Sequence, residues 1–305
     1  MIIAFLLSSK VLGYPLSILY LGPKGTGKTS LIESVDLVFK EPEGICEAGN
    51  STIKLLIPSF RERPANPGYL LECIRIGLID ELFKMIAAEN KQSQYRQLNS
   101  SYLGQFNMLL EHKRRTIGSG NVNKLDAQAT AKYLFVSNPY SGKKNLEEHL
   151  KLIDDTTLSR MLIYVQDKEH QKTINEEKNN NTSMNMNKEG ISKDIIINWE
   201  NEELNPFLTI YDSCQEFLIS MDKEKLTRVL NESSQLLNGS LKKLWEARGF
   251  HHLALLLDGI VKFRCIFRDY DSTFTPQKED YQNLRKIIIR ILNSWNTQFG
   301  SNGSD

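Results

Sequence analysis

The apolar run Leu16-Ser17-Ile18-Leu19-Tyr20-Leu21 stops abruptly at Gly22. Its length and aliphatic content predict a strand buried on both faces. The segment from Ser30 to Phe39 that follows reads as a helix. Four more short apolar runs predict strands at Thr52–Ile57, Ile74–Ile79, Lys132–Val136 and Met161–Val165. They alternate with helix-like segments, so residues 1–165 should form a parallel sheet covered by helices, an α/β fold. Residues 166–202 change character. They are polar, include Asn179-Asn180-Asn181, and offer little apolar surface to offset chain ordering, which predicts a disordered linker. From 203 to 299 the apolar residues recur at helical spacing. Phe207, Ile210, Tyr211, Cys214, Phe217 and Leu218 form one such set, and Leu253, Leu256, Leu257, Ile260 and Val261 another. The last helix should start with Thr275 as N-cap and Pro276 at the first helical position, and bury Leu284, Ile287, Ile288, Ile291 and Leu292. Residues 300–305 read as a disordered tail.

The opening Met1–Leu7 is apolar but short and is soon interrupted by Lys10. It reads as a core helix rather than a signal peptide or membrane span. With 305 residues the chain can build two cores. Its 38 basic and 37 acidic residues nearly cancel, so any contact with nucleic acid must come from a local patch or from assembly. Cys46, Cys73, Cys214 and Cys265 are scattered, with no C-x-x-C, which fits a reducing compartment and argues against a zinc site. His251 and His252 are adjacent. On a helix they diverge by about 100° and should lie on the surface rather than share a metal. A cytoplasmic or nucleoid-associated protein is expected, neither secreted nor membrane-bound.

Gly22-Pro23-Lys24-Gly25-Thr26-Gly27-Lys28-Thr29 is a complete G-x-x-x-x-G-K-T phosphate loop, set between the predicted strand and the helix that opens at Ser30. Backbone N–H groups in such a loop wrap phosphates, Lys28 adds a point charge, and the Thr29 hydroxyl can bind Mg²⁺. The pattern predicts nucleoside triphosphate binding through Gly22 to Ser30.

Four further segments carry candidate chemistry. Ile76-Gly-Leu-Ile-Asp80-Glu81 is an apolar run ending in two carboxylates. Asp80 could hold Mg²⁺ through its waters, and Glu81 could deprotonate an attacking water, which points to hydrolysis. The strand at Lys132 ends in Ser137-Asn138-Pro139. Asn138 is either a turn residue or a contact to the γ-phosphate and the attacking water. Arg160 follows Asp154-Asp155-Thr-Thr-Leu-Ser159. It is either a surface ion-pair partner or an arginine finger acting across a subunit interface. Between the acidic strand and Asn138, turn formers Gly118, Gly120 and Asn121 predict a β-hairpin. Lys113, Arg114, Arg115 and Lys124 sit at its base and tip, as a solvated basic loop or as a grip on a nucleic-acid backbone.

Taken in order, these segments resemble the AAA+ ATPases, and within them the minichromosome maintenance (MCM) branch of replicative helicases. Ile79-Asp80-Glu81-Leu82-Phe83-Lys84-Met85 is similar to the branch's I-D-E-F-D-K-M. Thr116-Ile117, Leu125-Asp126-Ala127 and Ser137-Asn138-Pro139 resemble its T-I-S, L-N-A and A-N-P elements, which frame the pre-sensor-1 hairpin. Leu158-Ser159-Arg160-Met161 resembles its L-S-R-F. Arg248-Gly-Phe-His-His-Leu253 resembles the sensor-2 segment, with a helix-end surface arginine as the other reading. The phosphate loop departs from the branch: it ends Gly27-Lys28-Thr29 rather than Ala-Lys-Ser. Lys124 also lies after the hairpin tip, where the branch carries its basic residue before it.

The resemblance implies a P-loop AAA+ core over 1–165 with a three-layer parallel sheet, joined through 166–202 to an all-α lid over 203–299. It implies ATP and Mg²⁺ as ligands. Lys28 and Thr29 would hold phosphates and metal, Asp80 would complete the metal site, Glu81 would activate water and Asn138 would sense the γ-phosphate. Arg160 and Arg248 would act from a neighbour in a homo-oligomeric ring, expected to be a hexamer, with single-stranded DNA in its channel. No counterpart of the family's N-terminal OB-fold domain is recognisable, so DNA loading is expected to depend on a further segment or partner. The expected activity is that of an ATP-driven DNA helicase or translocase subunit. The alternatives are an AAA+ remodeller or chelatase-like ATPase acting on protein, and a nucleotide-bound assembly scaffold.

Overall fold

The computed structural model describes residues 1–10, 15–40, 44–47, 52–59, 66–86, 100–112, 115–119, 123–138, 155–166, 206–269 and 273–299. The chain opens with α1 (Ile2–Leu7), then β1 (Ser17–Leu21), α2 (Lys28–Phe39), β2 (Ile45–Cys46), α3 (Tyr69–Glu72) and β3 (Ile76–Ile79). Next come α4 (Ser100–Leu110), β4 (Arg115–Ser119), β5 (Asn123–Ala127), β6 (Lys132–Ser137), α5 (Asp155–Leu158) and β7 (Met161–Val165). Four long helical elements follow: α6 (Pro206–Gln215), α7 (Lys223–Ser234), α8 (Gly239–Arg264) and α9 (Lys278–Phe299). The linker expected at 166–202 and the tail at 300–305 lie outside the described residues, apart from Gln166.

Five strands form one parallel sheet in the order β2-β3-β6-β1-β7. β3 and β6 are buried along their whole length and β1 and β7 at all but one position each, as strands covered on both faces must be. β1 sits between β6 and β7, with Ser17 beside Met161 and Leu21 beside Val165. The carboxyl ends of β1, β3 and β6 therefore face the same way, and in such sheets ligands bind in the crevice outside those ends.

One expected strand is replaced. Residues 52–57 form a 3₁₀ turn over Ile53–Leu55, with the Thr52 hydroxyl accepting from the Lys54 N–H. Ile53, Leu56 and Ile57 are buried whereas Leu55 is 47% exposed. That spacing of three and four is helical, and the run of aliphatic residues disguises it. The edge position in the sheet goes instead to the two-residue β2, too short to stand out in the sequence.

The C-terminal helices do not stand apart from the sheet. Trp295 on α9 donates its indole N–H to the Ile163 carbonyl of β7 at 2.8 Å. α1 lies on α8 so closely that a Cβ on Gly259 would fall 1.8 Å from the Ala4 carbonyl oxygen. Lys132, fully buried at the start of β6, donates to the carbonyls of Phe5, Leu6 and Ser8 at the end of α1, and burial drives its pKa well down. On α8, Asp258 and Lys262 form a fully buried pair at 2.8 Å. Asp258 accepts the N–H groups of Ser9 (2.7 Å) and Ile219 (3.1 Å), and Lys262 donates to the carbonyls of Cys214 and Phe217 (both 2.7 Å). This pair ties the N-terminal segment and the end of α6 to α8.

The apolar faces expected on α8 and α9 are buried as foreseen, except that Ile287 is half-buried. Thr275 is not the cap of α9. The helix begins at Lys278, the Asp280 carboxylate accepts the Gln277 N–H, and the Thr275 carbonyl instead receives Arg264 Nη2. His252 is also not on the surface. It is 5% exposed, stacked on Trp245, and burial lowers its pKa to about 3. The 26-residue α8 is buried over most of its second half, so His252 falls on a face that packs inward. All four cysteines are buried free thiols. Among the described residues no helix is long and apolar enough to cross a membrane.

Candidate active site

The phosphate loop leaves β1 at Gly22 and ends where α2 begins. Gly25 and Gly27 have φ of 82° and 78°, the left-handed region that side chains with a Cβ resist. Those two turns bring the chain back over the end of the sheet and aim the first N–H groups of α2 at the loop's hollow. A 12-residue helix places about half a positive charge there.

Lys28 is 6% exposed and reaches back into the loop. Its Nζ donates to the carbonyls of Gly22 and Pro23 (2.8 Å each), to Thr26 Oγ1 (3.3 Å) and to Asn138 Oδ1 (2.8 Å). Burial lowers its pKa, against the pull of Glu81 and Asp80. Lys24, Thr29 and Ser30 are exposed at the mouth of the loop.

Asp80 and Glu81 follow β3. The Asp80 N–H is held by the Cys46 carbonyl at 2.9 Å, so even the short β2 helps aim this segment. Thr29 Oγ1 donates to Asp80 Oδ2 at 3.4 Å. Burial raises the Asp80 pKa, opposed by hydrogen bonds from the Glu81 N–H and Thr29. Glu81 has φ of 59°, an αL conformation unusual for a residue with a long side chain. Its carbonyl accepts from Lys84 and Met85, opening a helical turn over 82–86. The Glu81 carboxylate accepts a hydrogen bond from Asn138 Nδ2.

Asn138 follows β6, which separates β1 from β3 in the sheet. It is therefore set between the phosphate loop and the two acids, and its amide contacts both sides. Lys28, Thr29, Asp80, Glu81 and Asn138, five residues singled out from separate stretches of sequence, meet at one edge. The donor set suits a hard cation: a hydroxyl and a carboxylate within hydrogen-bond distance of each other, both oxygen ligands. Among the described residues no three His, Cys, Asp or Glu side chains gather, so no all-protein metal cage is present.

Arg160 and Arg248 are elsewhere. Arg160 immediately precedes β7, at the opposite, amino-terminal edge of the sheet. β7 is five residues long, so about 16 Å of strand separates Arg160 from the level of the phosphate loop. Its Nε and Nη2 lie 3.2 and 2.5 Å from Glu111 Oε1, and Nη1 donates to the Thr156 carbonyl. Arg248 Nη2 donates to the same Glu111 oxygen at 3.2 Å. The structure thus joins the two arginines to each other through Glu111, a residue the sequence did not single out. His252, one turn beyond Arg248, bonds the Ser159 carbonyl at 3.0 Å and ties α8 to this corner.

The expected hairpin is β4 paired antiparallel with β5. Arg115 is opposite Ala127 and Lys124 opposite Gly118, positions on opposite faces of the ribbon. Lys113 and Arg114 lie outside the described residues.

No protein-family model matches the chain, and no curated protein is significantly similar to it.

Proposed function

We propose that this chain is an ATP-hydrolysing subunit of the AAA+ type, resembling the MCM motors, that acts in a ring of identical copies on single-stranded DNA. The observation that carries the hydrolase reading is the contact series Lys28–Asn138–Glu81, beside Thr29–Asp80, at the carboxyl edge of a parallel sheet.

The chemistry follows from the residues. The loop N–H groups and the α2 N-terminus bind the phosphate oxygens. Lys28, now on the Gly22 and Pro23 carbonyls, exchanges them for phosphate oxygens, a stronger charge-assisted set. Thr29 and Asp80 would hold Mg²⁺, which when bound neutralises charge on the β- and γ-oxygens. Glu81 accepts a proton from the attacking water as its oxygen bonds to the γ-phosphorus and the bond to the bridging oxygen breaks, leaving ADP and phosphate. Asn138 orients that water and Glu81 together.

Arg160 cannot serve its own phosphate loop, being at the far edge of the sheet and bonded to Glu111 and Thr156. Arg248 shares its position. Both are therefore assigned to the triphosphate of an adjacent copy, which makes turnover depend on assembly. The β4–β5 hairpin, with Arg115 and Lys124 and the neighbouring Lys113 and Arg114, is assigned to the DNA backbone.

The test is ATP turnover with and without single-stranded DNA. DNA should stimulate it, and Ala at Lys113, Arg114, Arg115 and Lys124 together should abolish the stimulation but leave basal turnover. Turnover indifferent to DNA would contradict the DNA-motor reading and favour a remodeller of protein partners.

A further inference from the structure

We propose that Glu111 is a positioning residue that gathers Arg160 and Arg248 into a single anion site for the triphosphate held by a second copy of this chain. The proposal rests on the ATPase reading above and adds a residue to it.

Three separate elements converge on one carboxylate oxygen. Glu111 lies in the turn after α4, Arg160 precedes β7, and Arg248 belongs to α8. The three side chains are only 13%, 11% and 24% exposed, so their mutual attraction is screened far less than that of a surface pair. Two guanidiniums this close repel each other. The carboxylate between them offsets that repulsion, one negative charge set against two positive ones.

The geometry of Arg160 is specific. A guanidinium has five N–H donors in a fixed plane. Glu111 takes the fork made by Nε and Nη2, and the Thr156 carbonyl takes one donor of Nη1. Among the described residues these bonds use Nε and one N–H of each Nη, and the Nη groups of a guanidinium are the donors that phosphate oxygens accept from. Thr156 is itself fixed, because its carbonyl also accepts from Ser159 Oγ at 2.9 Å. His252 on α8 bonds the Ser159 carbonyl, next to Arg160 in sequence. Glu111 is thus an acceptor that both arginines share, Arg160 through Nε and Nη2 and Arg248 through Nη2. Remove its charge and the two arginines separate, though each is still present.

The test is steady-state ATP hydrolysis by the full chain carrying Glu111→Gln. Because the nucleotide is seated on another copy's phosphate loop, kcat should fall about tenfold while KM for ATP stays within about twofold. Glu111→Asp, which keeps the charge but withdraws it by one methylene, should fall less. It also gives the same readout if the Gln variant does not fold.

Mixing separates positioning across the interface from a structural effect. Lys28→Ala copies lack nucleotide binding but have intact arginines, and Glu111→Gln copies have the reverse. Equal, random mixing should restore turnover to roughly a quarter of the wild-type value, because a quarter of the interfaces then join two sound halves. Wild-type turnover in Glu111→Gln overturns the proposal. So does a loss that mixing fails to restore, which would mean that Glu111 acts within its own copy. A wild-type chain that hydrolyses no ATP would instead sink the ATPase reading itself.

Discussion

Lys28 Nζ lies 2.8 Å from Asn138 Oδ1, and the other end of the same amide donates to Glu81. A single side chain therefore links the phosphate-binding cation to the candidate base. When phosphate draws Lys28 away, Asn138 loses its acceptor role toward it and the hold on Glu81 changes. Asn138→Ala should keep ATP affinity within a few-fold and lower turnover about a hundredfold. Equilibrium binding and steady-state hydrolysis on the same preparation check this. A proportional loss of both would contradict it.

Glu81 stores backbone strain at the site. Its φ of 59° costs a residue with a Cβ about 1 kcal/mol, and glycine tolerates it freely. Glu81→Gly should therefore abolish hydrolysis without lowering stability by more than about 1 kcal/mol. Urea unfolding measures the second quantity. A loss of several kcal/mol would mean that the conformation is not strained.

Acid should weaken the fold through His252. Burial, with help from His251, holds its pKa near 3, down from 6.5. Below about pH 6.5 the unfolded chain then binds a proton that the folded chain refuses. Stability at neutral pH is intact, and this contribution is lost as pH falls from 6.5 toward 3, by up to about 1.4 kcal/mol per pH unit. His252→Gln can still donate to the Ser159 carbonyl but does not titrate. The gap between wild type and variant in urea midpoint should shift against the wild type from pH 7 to pH 5. A gap independent of pH would rule the coupling out.

The Asp258–Lys262 pair should be costly to break. Both side chains are fully buried, and burial raises the Asp258 pKa and lowers that of Lys262. Asp258→Ala would leave the Ser9 and Ile219 N–H groups and the Lys262 ammonium without this acceptor, for a loss of about 3–5 kcal/mol. Asp258→Ala combined with Lys262→Met should recover part of that. Thermal melts of the two variants compare directly, and a double variant no better than the single would contradict the argument.

The sheet was legible where strands are long and buried at every position or all but one, as at Leu16–Leu21, Lys132–Val136 and Met161–Val165. The phosphate loop was legible because its glycines and lysine are close in sequence. Asp80, Glu81 and Asn138 could be named but not joined, since their meeting depends on β6 lying between β1 and β3. Residues 52–57 misled because four aliphatic residues in six satisfy both a strand and a turn of helix. Glu111 was invisible: the two arginines that it bonds, 49 and 137 positions away, are brought to it only by the fold. His252 was misjudged because adjacency to His251 says nothing about which neighbour packs inward.

The account depends on a triphosphate seated on the loop that ends at Lys28. Titrating Mg²⁺-ATP into the wild-type chain and into Lys28→Ala, followed by calorimetry, tests it most directly. Saturable binding by the wild type, weakened at least a hundredfold in the variant, is the predicted result. No binding by the wild type, or equal binding by both, would contradict the account.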